Sequence, residues 1–332
     1  MSRPDNHTAP SPVQTAAKTG ANPWRRLARW IDNEAGGDHG AAVDPARIDW
    51  LRLLPFIAMH LMCLGVIWVG WSPVALGVAV ALYGLRMFAI TGFYHRCFSH
   101  RSFRTTRGLQ FVFALLGATA GQRGPLWWAA HHRRHHARSD QAADLHSPVR
   151  HGFLWSHMGW FMAAESFPTD LKAVPDLARY PELHWLDRFD TLVPLALALA
   201  LYGLGELLYF TAPSLGTDGP QMLIWGFFVS TVVLYHVTYM INSVAHRFGR
   251  RRYRTRDNSR NNGWLALLTF GEGWHNNHHH YPGSARQGFY WWEIDITYSL
   301  LLLLARLGLI WDVRPVPVAV RDARRIETGA PT

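Results

Sequence analysis

Four long apolar runs divide the chain, and they carry almost no charge. Across residues 53–71, 74–94, 191–210 and 222–241 the only Asp, Glu, Lys or Arg residues are Arg86 and Glu206. A helix rises about 1.5 Å per residue and needs about 20 apolar residues to cross a bilayer core. The runs also lack the polar stripe of a helix that faces water. The pattern predicts an all-α integral membrane protein with four transmembrane helices, at about residues 52–71, 74–94, 190–210 and 222–242.

Two shorter apolar stretches, 109–120 and 299–310, are too short to span and are expected to be interfacial or buried helices. The stretch 1–46 is rich in Pro, Gly and Ala without an apolar signal core. We expect it to be a mobile cytoplasmic tail with a short helix near Trp24–Ile31, and not a cleaved signal peptide. The predicted organisation is therefore a tail at 1–46, a membrane domain at 47–312 and a C-terminal tail at 313–332.

The distribution of Lys and Arg predicts the orientation. Residues 95–190 contain 12 Lys and Arg and residues 243–297 contain eight, whereas the connections at 72–73 and 211–221 contain none. Basic residues stay on the cytoplasmic side of a membrane. Both termini and the two basic segments, which would form a helical cap, are therefore expected to be cytoplasmic.

Composition adds an excess of histidine. The chain has 332 residues, 19 of them His, and a net charge of +10. That charge alone would suggest a nucleic-acid or anionic membrane partner, but its position marks a cytoplasmic face, so no nucleic-acid partner is expected. Cys63 and Cys97 are too few for a disulfide framework or a thiolate zinc site.

The histidines concentrate in four boxes in the basic segments. The first, HRCFSH, holds His95 and His100, which would point about 140° apart on a regular helix, so both can face one site only if the helix ends or turns between them. The second, HHRRHH, places three imidazoles on one helical face. The third, NSVAH, follows the fourth apolar run, and the fourth, GEGWHNNHH, repeats the HxxHH spacing. The candidate ligands in the last three boxes are His132, His135, His136, Asn242, His246, His275, His278 and His279.

Nine imidazoles are too many for one ion, but four or five ligands each would supply two ions, with Asn242 holding a water. Imidazole without thiolate suits iron, copper, zinc or nickel. His60 and His236, which lie within apolar runs, are interpreted as packed or hydrogen-bonded helix residues and not as ligands. The remaining histidines outside the repeated spacing need no metal; among them are His131, His146, His151, His157, His184 and His280.

Taken in this order around paired apolar spans, the four boxes resemble the membrane-bound acyl-CoA (stearoyl-CoA, delta-9) desaturase family, from roughly Leu53 to Leu309. The resemblance implies a non-haem di-iron enzyme, with two Fe ions, that uses O₂ and two electrons to place a cis double bond in a saturated acyl chain. Carried over box by box, it implies nine histidine ligands, with Asn242 acting through water. One partition gives the first iron His95, His100, His132, His136 and His279, and the second His135, His246, His275 and His278.

The resemblance also implies an acyl tunnel. Gln122, Trp128, Thr238 and Tyr239 would line its bend, and Tyr83 and Met87 would lie near its closed end, although packing alone explains each aromatic equally well. Animal members have an Arg-Asp pair that helps hold the CoA headgroup where this chain has Ala130 and His131. The cations for a headgroup would then come from Arg123, Arg133, Arg150 or residues 247–260. Acyl-CoA is the first expected substrate, with acyl carrier protein or phospholipid chains left open.

No electron carrier is visible in the chain, because the HPGG haem signature is absent and two cysteines cannot hold an iron–sulfur cluster. A separate ferredoxin, rubredoxin or cytochrome b5 type donor is expected. Two other functions compete with desaturation: a related di-iron fatty-acid or alkyl hydroxylase, and a non-enzymatic metal transporter. The transporter is disfavoured because its ligands should lie inside the spans, whereas these boxes lie at their ends.

Overall fold

The computed structural model describes residues 23–35 and 47–326, and it is almost entirely helical. Four of its helices are long and apolar enough to cross a membrane, which confirms the predicted fold class. Their bounds are Trp50–Val69 (span 1), Pro73–Ser99 (span 2), Leu192–Thr211 (span 3) and Gly219–Ser243 (span 4). Span 2 is the one that departs most from the prediction, since it continues as far as the first histidine box.

The loop between spans 1 and 2 and the loop between spans 3 and 4 meet at the end of the spans remote from the boxes. Ser72 caps span 2 by accepting a hydrogen bond from the backbone of Ala75, with Pro73 in the first turn. The Ser72 hydroxyl also donates to Thr217, at 3.0 Å between the two oxygens. This contact joins the loop between spans 1 and 2 to the loop between spans 3 and 4, so all box-bearing ends of the spans lie on the opposite side.

The one arginine in the middle of a span is buried between helices. Arg86 of span 2 donates to the hydroxyls of Ser230 and Thr231 of span 4, the second at 2.7 Å, and to the carbonyl of Leu82 at 3.1 Å. A charge in a membrane span survives by facing such partners instead of lipid. Arg86 therefore ties span 2 to span 4.

Shorter helices surround the box-bearing ends of the spans. Two of them, Arg107–Ala118 and Ile296–Arg306, are the short apolar helices that the sequence predicts. Two-residue strands, β1 (Arg104–Thr105) and β2 (Ile310–Trp311), pair antiparallel. The other α-helices are Pro23–Ala28, Pro125–Arg138, Pro148–His151, Pro175–Ala178, Pro181–Arg188, Gly263–Leu268, His275–His280 and Val318–Asp322. We call residues 100–190 and 244–326 the cap.

Parts of both expected tails contact the rest of the molecule. In the N-terminal segment Asn33 donates to the carbonyl of Asp187 at 2.9 Å, and Asp32 pairs with Arg188. In the C-terminal segment the carbonyl of Arg321 accepts from the Tyr253 hydroxyl at 2.7 Å. Residues 23–35 and 313–326 are thus held on the cap, and the remainder of the expected tails lies outside the described residues.

A tight contact inside the core joins span 2 to helix Arg107–Ala118. Tyr94 is fully buried and donates to the carbonyl of Ala114 at 3.0 Å, and its ring lies against Gly117. A Cβ at Gly117 would fall 2.2 Å from that ring, whereas a Cβ at Gly108 in the same helix meets nothing within 4 Å.

We therefore expect Gly117→Ala to destabilise the protein by about 1–3 kcal/mol through overpacking, and Gly108→Ala to be neutral or to stabilise by up to about 1 kcal/mol. Thermal unfolding of both variants in the same detergent measures the difference. Equal melting temperatures would contradict the packing described for Tyr94.

Candidate metal centre

Nine histidines of the four boxes converge into two buried groups at the cap ends of spans 2 and 4. The five-histidine cluster consists of His95, His100, His132, His136 and His278. The four-histidine cluster consists of His135, His246, His275 and His279. Within each cluster the candidate ligand nitrogens lie within 4.8 Å of one another.

Helix geometry explains how the two HxxHH boxes are divided. Residues four apart lie nearly one above the other on a helix, whereas consecutive residues point about 100° apart. In helix Pro125–Arg138 the pair His132 and His136 faces the five-histidine cluster, and His135 faces the other. In helix His275–His280 the relation is reversed, because His275 and His279 face the four-histidine cluster and His278 faces the first. Each box therefore contributes to both clusters.

His95 and His100 reach the same cluster through a change of helix type. Span 2 becomes a π-helix over Ala89–Ser99, and the backbone N–H of His100 donates to the carbonyl of His95 at 3.2 Å. A hydrogen bond from residue i+5 to residue i places these two residues on the same face. A regular helix would point these two side chains apart. The π-helix and the helix end at His100 allow both to face the five-histidine cluster.

Four of the imidazoles are oriented by carboxylates. Nδ1 of His95 lies 2.6 Å from Oε2 of Glu272. The Nδ1 atoms of His135, His246 and His279 donate to Asp144 at 3.1 Å, to Asp140 at 3.1 Å and to Asp257 at 2.7 Å. An ionised carboxylate only accepts, so Nδ1 carries the hydrogen and Nε2 is left with a lone pair. This is the outer arrangement that metal-binding histidines usually have.

The electrostatics favour the neutral form at six of the nine imidazoles. Burial, reinforced by neighbouring imidazoles, lowers the pKa well below its ordinary value at His100, His132, His136, His275 and His278. At His279 burial lowers the pKa to about 4, although Asp257 acts in the opposite direction. At His135 burial also acts to lower the pKa, but Asp144 outweighs it and the pKa rises.

The carboxyl partners of these imidazoles have a lowered pKa, which favours their ionised form. Burial would raise the pKa of Asp140, Asp144 and Asp257, but their imidazole neighbours hold the pKa of each well below the usual range. These three carboxylates stay ionised, and all three serve the four-histidine cluster. Among the described residues the five-histidine cluster has one carboxylate partner, Glu272, whose charge is shared with Arg96.

The nitrogen positions fit metal ions. Nε2 atoms face one another at 3.1 Å between His95 and His278, at 2.8 Å between His100 and His132, and at 3.0 Å between His246 and His275. Two nitrogens bound at right angles to one ion at about 2.1 Å lie about 3 Å apart. The buried Nε2 of His279 has no hydrogen-bond partner among the described residues. The arrangement therefore provides two groups of buried nitrogen donors that can each hold a metal ion.

A buried ion network holds the first box against the fourth. Arg96, fully enclosed, pairs with Glu272 at 3.0 Å and with Asp295 at 2.9 Å. Glu272 lies between two glycines, and a Cβ at Gly273 would fall 2.1 Å from the backbone nitrogen of Ala266. The GEG sequence is thus needed for the close approach that directs Glu272 to His95.

The predicted assignment of histidines to the two irons is wrong at two positions, His278 and His279. His278, not His279, joins His95, His100, His132 and His136. The reason is the helical direction of the fourth box, in which His279 lies one turn after His275 and shares its side. Asn242 is half-buried at the end of span 4 and lines the cavity described below, together with His275.

Histidines assigned to other roles lie outside the two clusters. His131 packs on Trp127, and His280 donates to the carbonyl of Val320 at 2.8 Å. His60 and His236 are hydrogen-bonded, as expected: their Nε2 atoms lie 3.1 Å apart, and His236 Nδ1 contacts His157 at 3.0 Å. This chain of imidazoles links span 1, span 4 and the cap. His146 stacks on His135 and shares Asp144 with it.

A cavity of about 470 Å³ extends from the clusters into the membrane-spanning region. His95, His132, His135 and His275 form part of its wall, and its apolar lining is contributed by all four spans. Several lining side chains of spans 1 and 3 also face the outside, including Pro55 and Leu195, the latter 51% exposed. The cavity therefore reaches side chains of spans 1 and 3 that are also exposed on the outer surface of these helices.

Four predicted tunnel residues line this cavity beside the histidines. Gln122 donates to the Thr238 hydroxyl at 3.1 Å, Trp128 stacks on His132, and Tyr239 lies on the same wall. Arg123 lines it as well.

Tyr83 and Met87, the other two predicted tunnel residues, are not among the lining residues. Tyr83 donates instead to the carbonyl of Leu268 at 2.7 Å, and Met87 is enclosed in the core of the helices. Arg133, one of the cations expected for a headgroup, is occupied by Asp176 and the carbonyls of Phe98 and Ser99.

The carboxylates are the functional residues that the box spacing alone misses. Two of them follow the second box directly, in the sequence HHARSDQAAD, and Glu272 lies inside the fourth. In a chain with only 23 acidic residues, acids next to histidine boxes are a usable signal, since metal-binding histidines commonly donate to a carboxylate.

Removing one of these carboxylates should weaken metal binding without removing a ligand. We expect Asp257→Asn to lower the affinity of the four-histidine cluster for metal about 10- to 100-fold. The exposed Asp312, which pairs with Arg104, supplies the control Asp312→Asn. Metal per chain, measured by mass spectrometry after dialysis against a chelator, should fall only in the first variant. Equal retention in both would contradict the role given to Asp257.

Comparison with known proteins agrees with this site. A family model described as fatty acid desaturase matches residues 69–305. The chain is 39% identical over 279 residues to an sn-2 palmitoyl-lipid 9-desaturase of Nostoc sp. (strain 36), covering 82% of this chain and 92% of that protein. It is 38% identical over 271 residues to an sn-1 stearoyl-lipid 9-desaturase of Anabaena variabilis, covering 81% and 94%.

An acyl-CoA 5-desaturase (AL21) of Anemone leveillei is 36% identical over 271 residues, covering 80% of this chain and 79% of that protein. The relatives thus include enzymes named for lipid-bound and for CoA-bound chains. The family model covers more than half of the chain and includes all four boxes. With its four apolar spans and buried histidine clusters, this chain belongs to the fatty acid desaturase family.

Proposed function

We propose that this protein is an O₂-dependent desaturase that places a cis double bond, at the delta-9 position, in a saturated acyl chain at a non-haem di-iron centre. The observation that carries the proposal is the cavity, which brings an apolar channel from the membrane-spanning region to the wall formed by His95, His132, His135 and His275. A lipid-soluble chain and a metal centre thereby share one enclosed space.

Iron is the metal that suits both the donors and the reaction. The two clusters offer neutral nitrogen donors without thiolate, a set that iron accepts. When bound, the two irons supply the O₂-dependent oxidation that removes hydrogen from an unactivated methylene, a step that no side-chain acid or base can perform. We assign five histidines to one iron and four to the other, as the clusters group them, and Asn242 to a water beside the second.

The protein's own residues hold the chain and keep water away. Gln122 and Thr238 are joined by a hydrogen bond on the cavity wall, and Trp128 lies against His132, so these three side chains fix the path of the acyl chain past the centre. Loss of hydrogen from two neighbouring carbons gives an alkene, whereas transfer of oxygen after the first loss gives an alcohol. The rigidity of this wall therefore decides between desaturation and hydroxylation.

We propose a lipid-bound chain as the first substrate and acyl-CoA as the second. The motifs alone favour acyl-CoA, but Arg133 is taken up by Asp176, and the cavity reaches the lipid-facing surface at Pro55 and Leu195. Relatives named as acyl-lipid desaturases are about as similar to this chain as the relative named as an acyl-CoA desaturase. A lipid can enter such an opening from within the bilayer.

We propose that the centre and both termini lie on the cytoplasmic side. The connections at the opposite end, residues 70–72 and 212–218, have no Lys or Arg, whereas the cap is rich in arginine. Exposed cap arginines that suit an acidic ferredoxin, rubredoxin or cytochrome b5 are Arg134, Arg138, Arg247, Arg250, Arg254 and Arg256.

Loss of a ligand from either cluster should abolish turnover. We expect His135→Ala and His278→Ala to lose desaturation while remaining in the membrane, because the spans insert without metal. His184→Ala, outside both clusters, serves as the control and keeps its activity. The assay is lipid profiling in a host that lacks unsaturated fatty acids. Full activity with normal iron content in either ligand variant would overturn the assignment.

The products distinguish desaturation from the competing functions. Mass spectrometry of the lipids should show chains lighter by two hydrogens, with the double bond at delta-9. Hydroxylated chains alone would identify a hydroxylase, and metal uptake into vesicles without any turnover would identify a transporter.

Electron delivery to a basic face should depend on ionic strength. We expect the rate with an acidic protein donor to fall several-fold between about 0.05 M and 0.5 M salt, since screening weakens the attraction. In the control the iron-loaded protein is reduced by dithionite without O₂, freed of the reductant and then given O₂; the product formed in this single turnover needs no docking and should change little with salt. A protein-driven rate that is insensitive to salt would contradict the proposed docking.

A further inference from the structure

The cavity has a polar mouth where two guanidinium groups converge. Arg52, at the cap end of span 1, and Arg123 both line it, and their Nη atoms donate to one atom, the Oδ1 of Asn33, at 2.9 Å and 3.2 Å. An amide oxygen carries only a partial charge, so it does not neutralise two cations. The shared acceptor shows that both groups point to the same place.

The same two arginines share an aromatic face. The guanidinium carbon of Arg52 lies 4.1 Å from the ring centre of Phe167, and that of Arg123 lies 5.4 Å from it. Arg123 also lies 5.4 Å from the ring centre of Trp127. Stacking of this kind fixes the planar groups and leaves their edges available to an anion.

The charges at the mouth are not balanced. The acidic residues of the cavity lining are Asp190 and Glu272, and Glu272 is engaged by Arg96. Asp190 lies 3.4 Å from Arg123 Nε, without hydrogen-bond geometry. In the described part of the chain no ion pair joins the Arg52 side chain to a carboxylate, and Asp49 and Asp190 act on its charge from a longer distance. Arg29 lines the cavity as well, so three arginines share this lining with one carboxylate besides Glu272.

Arg123 is held in an unfavourable backbone conformation. Its φ angle is 71°, in the left-handed region that non-glycine residues rarely adopt. Such strain persists where the surrounding structure enforces it, and it is concentrated at functional sites. Arg123 directly follows Gln122, so the same turn presents one side chain to the bend beside the histidines and the next to the mouth.

The mouth lies near the cap-side ends of spans 1 and 3, the depth at which bilayer phosphates are expected. Arg52 is the third residue of span 1, and Asp190 lies two residues before span 3, so both are close to the expected membrane interface at the cap side. The exposed lining residues Pro55 and Leu195 lie three residues after Arg52 and five residues after Asp190. The polar mouth thus lies at the cap-side end of the exposed lining that Pro55 and Leu195 mark.

We propose that Arg52 and Arg123 bind the phosphate of a glycerophospholipid whose acyl chain occupies the cavity. The inference rests on the proposed desaturase function and names its substrate class. In a glycerophospholipid the phosphate is separated from the acyl ester only by the glycerol, so a chain inside the cavity keeps its phosphate at the mouth. In acyl-CoA the first phosphate follows the whole pantetheine arm and would lie well beyond these arginines.

Lipid retention by the full-length protein tests the site independently of turnover. The probes are phosphatidylglycerol and monogalactosyldiacylglycerol with the same sn-2 palmitoyl chain, and palmitoyl-CoA. Protein released from nanodiscs that contain equal amounts of the two lipids is analysed by native mass spectrometry. The variants are Arg52→Gln and Arg123→Gln. The control is Arg107→Gln, whose arginine is exposed and pairs with Glu182.

We expect the unaltered protein and the control to retain phosphatidylglycerol at least tenfold over the uncharged lipid, since charge-assisted hydrogen bonds to phosphate are strong. Either arginine variant should lose this preference at least tenfold and retain the uncharged lipid as before. No preference in the unaltered protein, an undiminished preference in both variants, or displacement of the lipid by equimolar palmitoyl-CoA would overturn the proposal.

Turnover of the same three substrates by the iron-loaded protein tests the phosphate site and the desaturase function separately. Desaturation of palmitoyl-CoA in preference to phosphatidylglycerol would refute the phosphate site and leave the desaturase function intact. Absence of desaturation from every substrate, together with arginine-dependent retention of phosphatidylglycerol, would refute the proposed function and leave the binding site.

Discussion

The structure depends on one constraint: the nitrogen lone pairs of nine imidazoles are gathered into two buried clusters, in each of which the candidate ligand nitrogens lie within 4.8 Å of one another. Nε2 atoms that face each other at about 3 Å repel unless a cation or a proton lies between them. Burial keeps most of these groups neutral by lowering their pKa. A pair of metal ions relieves the repulsion and uses the same lone pairs.

The rest of the cap holds these lone pairs in place. Carboxylates fix the Nδ1 sides of four histidines, and three of them serve the four-histidine cluster. That cluster can compensate more positive charge than the five-histidine cluster, for which Glu272 is the one carboxylate partner among the residues that the structure describes. Arg96 and the GEG turn connect span 2 to the fourth box, so the membrane helices and the cap form one support for the centre.

Much of this arrangement could be predicted from residue order. Apolar runs of about 20 residues suffice for four spans, and the repeated HxxHH spacing suffices for imidazoles on one helical face. The π-helix of span 2 could not be predicted, because nothing in HRCFSH distinguishes it from a helix that simply ends. The grouping of His278 and His279 depends on how helix His275–His280 is turned toward its neighbour, a tertiary property.

For the same reason, only part of the lining of the acyl cavity could be predicted. Gln122, Trp128, Thr238 and Tyr239 line it, but Tyr83 and Met87 face other helices, since a position on a span does not determine which neighbour it meets. Asn33 and Arg52 gave no signal in the sequence, because a single Asn in a polar segment and an Arg at a span end are ordinary. They become a site only when residues distant in sequence meet at Phe167.

Anomalous X-ray diffraction at the iron absorption edge, recorded from crystals of the protein purified with its native metals, tests the central claim most directly. The account predicts two iron peaks in each chain. One should lie among His95, His100, His132, His136 and His278, and the other among His135, His246, His275 and His279. A single peak, peaks outside these clusters, or a signal only at the edge of another metal would contradict it.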